Sequence, residues 1–269
     1  MGTESIYYAA SGVAEAGSAI LFLHESGGTG ATWIGQLTGL AQKVRCLVPD
    51  LPGHGHSEGL GFQSIAEYRR AMLAFLDALA IRWPVVIAGV CLGAAIAVDL
   101  ALHAPERVAG LILVGVREGG RVEPEAWERT ALGEAPDSYV EQMFSEKAPS
   151  RLKSDQLKRW RLAGPTVRYG DLVAMARYPL AEAVRHLRQP LVAVAGERDP
   201  VATPATAVDL ALQAPRGTAA VIPQAGCMGM LEQPERFNQL VRDFLDEVRP
   251  NVPVMPVLQV GGYRRFRSG

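Results

Sequence analysis

The pentapeptide Gly89-Val90-Cys91-Leu92-Gly93 is the segment in which residue types and spacing most clearly suggest chemistry. It follows the apolar run 84–90 and precedes a helix-prone stretch, so it predicts a tight turn between a strand and a helix. A helix that begins there directs its unpaired N–H groups and positive dipole end at Cys91. Because that field stabilises a thiolate, the segment predicts a cysteine nucleophile. The alternative is an inert, buried cysteine at the end of an apolar strand.

The elements that must position this turn are strands and helices that alternate along the chain. Apolar runs rich in Val, Ile and Leu predict strands at 19–25, 45–50, 84–90, 108–116, 190–197 and 218–225. Such continuous apolar character is typical of strands buried on both faces of a parallel sheet. Segments with a helical apolar period are found at 64–81, 204–213 and 234–248. The alternation predicts an α/β fold with a mostly parallel, doubly wound sheet.

Residues 118–180 interrupt the alternation, because they are charged, helix-prone and broken by Gly and Pro. At about 60 residues, the segment is much longer than an ordinary connection and predicts a helical lid over the site, with a mere connection as the alternative. We therefore divide the chain into a core of 1–117 and 181–249, a lid of 118–180 and a tail of 250–269. In the tail, residues 257–260 (VLQV) could pair with a sheet edge, and a mobile terminus is the alternative.

The composition narrows the classes of function. The chain has 269 residues, 48% of them hydrophobic, and a formal net charge of −1, which disfavours nucleic acid and membrane surfaces as partners. Its three cysteines form no disulfide framework and favour a reducing compartment, and Cys46 is expected to be a small buried hydrophobic residue. The N-terminal residues show no secretory pattern, and no apolar run reaches the ~18 residues that cross a bilayer. We expect a soluble cytoplasmic protein that acts on a small molecule without a cofactor or metal, in an oligomeric state left open.

Five further segments resemble the α/β-hydrolase fold superfamily, in its branch of lidded esterases, lactonases and carbon–carbon hydrolases. The resemblance covers roughly residues 5–248 and is carried by LFLHESGGTGATW, VPDLPGHGHSEG, HAPERVAGLILVG, VAGERDPVATP and IPQAGCMGMLEQPERF. The elbow that continues Cys-Leu-Gly is similar to that of dienelactone hydrolases, and polyhydroxyalkanoate synthases also use an elbow cysteine. His54 and His56 belong to the second segment, a loop at the rim of the site, and we expect structural roles for both.

The resemblance implies a role for each matching position. Cys91 takes the position of the nucleophile, and Asp199, in VAGERDPVATP, takes the position of the catalytic acid. The backbone N–H groups of Leu92 and Ser26 take the positions of the oxyanion hole. The order of nucleophile, acid and base along the chain also agrees with this fold.

Two departures from the family pattern bear on the mechanism. Cys227 stands where the family has its catalytic histidine, and Glu25 stands where the His-Gly pair, here begun by His24, has its glycine. A thiol cannot take a proton from the nucleophile while it also bonds the acid, as an imidazole does. A thiolate needs less help than a serine, so acylation of Cys91 is expected to survive. Hydrolysis of the acyl-enzyme is harder, because the attacking water lacks its base.

The sequence leaves several outcomes open. Another group could act as the base through a water, with Glu25 as a candidate, His24 nearby, and a solvent-facing Glu25 as the alternative. The two thiols could form a redox pair, although their backbones are expected roughly 8 Å apart, beyond the ~7 Å that a disulfide spans. A zinc site on both thiols lacks a recognisable ligand spacing.

The sequence predicts a hydrolase or acyl-transfer enzyme for a small ester, thioester or lactone. The alternative is an impaired or repurposed protein that binds a small hydrophobic ligand.

Overall fold

The strands pair into one sheet in the computed structural model, which describes residues 5–12, 19–116, 129, 137–248 and the backbone of 264–267. Within those residues the strand order across the sheet is β7-β6-β5-β4-β2-β3-β1-β8. The bounds are β1 (Ser5–Ser11), β2 (Ala19–Leu23), β3 (Arg45–Pro49), β4 (Val85–Val90), β5 (Val108–Val114), β6 (Leu191–Gly196), β7 (Gly217–Ile222) and β8 (Arg264–Arg267).

The sheet is parallel from β7 through β3 and antiparallel only where β1 joins β3 and β8. The predicted parallel sheet is therefore confirmed, and each of the six predicted strands forms, with no end displaced by more than three residues. We did not predict β1 or β8. Because β1 mixes polar and apolar residues, it lacks the continuous apolar run by which the other strands were recognised. Residues 257–260, predicted to pair with an edge, lie outside the described residues.

Helices cover both faces of this sheet. They are α1 (Ile34–Gly39), α2 (Ile65–Ala78), α3 (Leu92–His103), α4 (Asp137–Glu141), α5 (Ser150–Leu162), α6 (Gly164–Ala176), α7 (Leu180–Ala183), α8 (Pro204–Gln213), α9 (Gly229–Glu232) and α10 (Pro234–Val248). Along β2, Leu21 and Leu23 join a core with α2 and α3, whereas Ile20 and Phe22 join a core with α10. This alternation confirms the doubly wound arrangement, because successive side chains of a strand point to opposite faces.

The turn between β4 and α3 depends on two glycines. A Cβ atom on Gly89 would lie 2.3 Å from the carbonyl carbon of Gly93, and one on Gly93 would lie 2.2 Å from the carbonyl oxygen of Leu23. Real Cβ atoms essentially never approach other atoms so closely. The helix can therefore begin directly against the ends of the central strands only because both positions lack a side chain.

The described part of the predicted lid is helical. Residues 137–180 contain α4, α5, α6 and the start of α7, and no strand. Most of 118–136 lies outside the described residues, so the boundaries of the lid and of the core remain predictions. Among the helices that the structure describes, none is long and apolar enough to cross a membrane.

We predict that Gly93→Ala destabilises the fold, because its Cβ would enter the backbone of Leu23. Overpacking of this kind costs about 1–3 kcal/mol in free energy of unfolding, which urea titration followed by circular dichroism measures. Gly229→Ala is the matched control, since its Cβ would meet Ile222 at an ordinary contact distance of 3.4 Å. Equal stability of the two variants would contradict the close approach described above.

Candidate active site

Cys91 occupies a strained backbone position at the turn between β4 and α3. Its φ is +50° and its ψ −105°, in a region that side-chain-bearing residues rarely adopt. The Cys91 N–H donates to the carbonyl of Val114 at 3.0 Å, which ties the turn to β5. Its carbonyl accepts the N–H groups of Ala94 and Ala95 in the first turn of α3. The thiol of Cys91 is therefore held at the N-terminal end of a twelve-residue buried helix.

Cys227 faces Cys91 from the loop between β7 and α9. The two sulfur atoms are 4.0 Å apart, too far for a covalent S–S bond. Both lie against Gly115, where a Cβ would be 2.3 Å from the sulfur of Cys227 and 3.2 Å from that of Cys91. The loop is held in place because the N–H of Gly226 donates to the carboxylate of Glu232 at 2.9 Å. The predicted nucleophile and the residue at the base position are thus brought together.

Asp199 lies just after β6, where the family resemblance placed the acid. Its side chain is 5% exposed, and its Oδ1 accepts the N–H groups of Val201 and Ala202 at 2.9 Å each. Its Oδ2 is buried and has no hydrogen-bond partner among the residues that the structure describes. A buried carboxylate oxygen without a donor is energetically costly, so this atom of Asp199 stands out among the described residues that line the site.

One small cavity joins these three residues. It is lined by Cys91, Gly115, Tyr139, Gln142, Met143, Asp199, Val201, Ala202 and Cys227. Its volume is about 10 Å³, the scale at which a cavity begins to admit one water molecule. Within the described residues, no group of three or more His, Cys, Asp and Glu side chains is placed to hold a metal ion.

The two oxyanion-hole candidates lie at the start of α3 and in the loop after β2. Leu92 is the first residue of α3, so its N–H has no acceptor within the helix. Ser26 follows β2 by three residues, is 3% exposed, and donates its hydroxyl to Asp171 of α6 at 2.7 Å. Helix α6 therefore holds the Ser26 side chain, and with it the loop that would supply the second N–H donor.

Glu25 is buried, so the alternative of a solvent-facing side chain is wrong. It is 1% exposed, and its carboxylate accepts the hydroxyl of Thr32 and the side-chain amide of Gln156 on α5. Burial raises the pKa of Glu25, opposed by the nearby Arg159 charge and by these hydrogen bonds. Glu25 does not line the cavity beside Cys91. The structure therefore gives no support to Glu25 as a base that acts on Cys91 through a water.

His24 is a neutral, structural histidine. Its Nδ1–H donates to the carbonyl of Glu25 at 2.7 Å, and its Nε2 accepts the N–H of Leu51 at 2.9 Å. Burial, together with the nearby His54, lowers the pKa of His24 well below its usual value. Its role is to hold the loop after β2 against the loop after β3, and it does not line the cavity at Cys91.

Sequence reasoning missed Asp171, the centre of a buried network. Asp171 is fully buried on α6 and accepts hydrogen bonds from Ser26, from Tyr68 at 2.5 Å and from His54 at 3.0 Å. The Nδ1 of His54 lies 3.1 Å from the carbonyl oxygen of Pro52, and its Nε2, which faces Asp171, also lies 3.3 Å from the backbone N–H of Gly27. No local pattern marks Asp171, because its partners lie more than a hundred residues away in sequence.

Comparison with known proteins agrees with this geometry. Residues 20–240 match the family described as "Alpha/beta hydrolase family". The (E)-2-((N-methylformamido)methylene)succinate hydrolase of Acinetobacter baylyi is 25% identical over 86% of this chain and 91% of its own length. The solved structure of Est816, described as an N-acyl homoserine lactone degrading enzyme, is 28% identical, with a TM-score of 0.80 over 90% of this chain and 97% of that chain. A malate-bound esterase of Thermogutta terrifontis is 24% identical and shares the fold, with a TM-score of 0.79 over 91% of this chain and 94% of that chain.

The buried pair of His54 and Asp171 predicts a dependence of stability on pH. Burial favours neutral His54, but the Asp171 charge and hydrogen bond prevail and raise its pKa. The pair's stabilisation is therefore complete below the unfolded pKa of about 6.5 and is lost as pH rises through the higher folded value. We expect urea-unfolding free energies to fall over roughly pH 6 to 9 less steeply in His54→Gln than in the native protein. His186→Gln, at an exposed site, should keep the native slope. Parallel curves for His54→Gln and the native protein would refute the ion pair.

Proposed function

The chain belongs to the Alpha/beta hydrolase family, and from this premise we propose that it cleaves a small ester, thioester or lactone through an acyl intermediate on Cys91. The observation that carries the proposal is the placement of a partly exposed thiol at a strained strand–helix turn, at the N-terminal end of α3. Its relatives include a hydrolase and a lactone-degrading enzyme, which supports acyl chemistry as the reaction class.

In the first step the Cys91 thiolate attacks the carbonyl carbon of the substrate. The electron pair of the carbonyl moves to its oxygen, and the N–H groups of Leu92 and Ser26 stabilise that oxyanion. Collapse of the intermediate expels the alcohol or thiol, which takes a proton, and leaves a thioester on Cys91. This step needs no histidine, because a few per cent of a cysteine is thiolate at neutral pH even without a base.

The second step is slower because water needs a base to attack the thioester. Cys227 lies where that base would be, and a thiol cannot bond Asp199 and accept a proton at once, as an imidazole does. The Oδ2 atom of Asp199, which would accept a hydrogen bond from such an imidazole, has no donor among the described residues. We therefore propose a long-lived acyl-enzyme, with transfer of the acyl group to a thiol or amine favoured over transfer to water.

The size of the cavity bears on the substrate. At about 10 Å³ it admits little more than one water molecule, so a long acyl chain enters only if the described part of the lid moves. The described lid residues that line the cavity are Tyr139 of α4 and the following Gln142 and Met143, so this is the segment that must move. We therefore propose that the acyl groups accepted without such movement are short, such as acetyl.

We predict that p-nitrophenyl acetate gives one equivalent of p-nitrophenolate rapidly, followed by slow turnover. Intact-protein mass spectrometry should find one acetyl group, and peptide mapping should place it on Cys91. Cys91→Ala should abolish both the burst and the adduct, while Cys46→Ala, at a fully buried strand position, should leave them unchanged. Burial raises the pKa of Cys46 to about 12, so this third thiol is inert. Absence of adduct and turnover across acyl lengths would favour the alternative of a protein that binds a small hydrophobic ligand.

We predict that Cys227→His restores a base and raises the rate of deacylation by about 10²–10⁴-fold, the usual contribution of general acid–base catalysis. The reason is that an imidazole at this position can bond Asp199 Oδ2 and activate water. Asp199→Asn in the Cys227→His background should remove the gain, and Cys227→Ser alone should show none. Single-turnover release of acetate measures the rate. An unchanged rate in Cys227→His would contradict the assignment of position 227 to the relay.

A further inference from the structure

We propose that Cys91 and Cys227 also act as a dithiol pair that reduces small peroxides, with Cys91 attacked first and Cys227 closing a disulfide. The proposal goes beyond acyl chemistry: it uses the position of Cys91 but requires no ester cleavage. It rests on three observations, namely the distance between the sulfurs, their unequal exposure and the size of the cavity they share.

The two sulfurs lie close to each other without a bond between them. They are 4.0 Å apart, and a disulfide requires about 2.05 Å, so they must approach by about 2 Å. Gly115 keeps the space against both sulfurs clear of a side chain, since a Cβ there would lie 2.3 Å from Cys227 Sγ. From the sequence we expected the backbones of Cys91 and Cys227 to be roughly 8 Å apart, because a long imidazole spans that gap in the family, and a disulfide would then require the backbone to move. Here both thiols reach into the same cavity, and side-chain rotation together with a small shift of the loop that carries Cys227 brings them together.

The unequal exposure of the two thiols sets the order of events. Cys91 is partly exposed, whereas Cys227 is buried, with 7% of its surface exposed. Cys91 also lies at the N-terminal end of α3, where the unpaired N–H groups of the helix face it, so Cys91 is the thiol that attacks first. A cavity of about 10 Å³ suits hydrogen peroxide, which is little larger than water, far better than it suits a long-chain ester.

The chemistry balances with a peroxide as oxidant and an external dithiol as reductant. The Cys91 thiolate attacks one peroxide oxygen, the O–O bond breaks, and the leaving alkoxide or hydroxide takes a proton, which leaves Cys91 as a sulfenic acid. Cys227 then attacks the Cys91 sulfur, the S–O bond breaks, and the departing hydroxide takes the Cys227 proton to form water. The external dithiol returns both cysteines to thiols and is itself oxidised to a disulfide. In this reaction the second thiol acts as a nucleophile, a role that does not require the two-site base chemistry of an imidazole.

The test uses the full-length, fully reduced protein treated with one equivalent of hydrogen peroxide. Of the three thiols, one should remain titratable after denaturation, and the intact mass should fall by two hydrogens. Peptide mapping should find Cys91 joined to Cys227. Cys46→Ala, the matched control, should fall from two titratable thiols to none. Cys227→Ser should form no disulfide and should instead trap dimedone on Cys91, which the native protein should not. With dithiothreitol as the reductant, the native protein should consume peroxide over many turnovers, and Cys227→Ser should lose this activity.

Retention of three thiols in the native protein, or equal labelling of native protein and Cys227→Ser by dimedone, would overturn the proposal. Cys227→Ala serves as a second variant should the serine variant fail to fold, with thermal unfolding as the check. Failure of this proposal is distinguishable from failure of acyl chemistry. Burst acylation of Cys91 without a disulfide would refute only the peroxide reaction, and a disulfide without acylation would refute only the ester reaction.

Discussion

The close approach of β4 and α3 at Gly89 and Gly93 is the contact on which the rest of the structure depends. It forces a positive φ on Cys91, and it brings the start of a buried helix against the ends of the central strands. The other residues of the site approach Cys91 from neighbouring loops: Cys227 lies in the loop after β7, and Asp199 lies in the loop after β6. Because the carboxyl ends of parallel strands lie at the same edge of the sheet, residues that are distant in sequence meet there.

The lid helices are joined to the loop after β2 by buried polar groups. Asp171 bonds Ser26 and His54, while Gln156 bonds Glu25, and Trp160 covers Gly27 so closely that a Cβ there would lie 2.3 Å from its ring. Buried charges of this kind are tolerated only when they are paired and hydrogen-bonded. These contacts of α5 and α6 position the loop that carries Ser26, whereas the cavity beside Cys91 is bounded on the lid side by Tyr139, Gln142 and Met143.

A thiol at position 227 has consequences for both proposals. It leaves Asp199 Oδ2 without a donor among the described residues, which weakens any reaction that must activate water. It also puts a second sulfur 4.0 Å from the first, which makes available a reaction that an imidazole cannot perform. Both proposals use Cys91 in the same role, as the nucleophile.

The sequence by itself determined the sheet, its parallel strands, the turn at Cys91 and the segments that carry Asp199 and Cys227, because continuous apolar runs and glycine spacing are local signals. Helices α8 and α10 occur at the predicted residues, since their apolar period and flanking prolines are local as well. Tertiary structure alone decided that Glu25 is buried, that Asp171 joins the lid to Ser26 and His54, and that the two sulfurs share a cavity. Burial and pairing of polar groups depend on which distant segments meet, and no pattern along one segment contains that information.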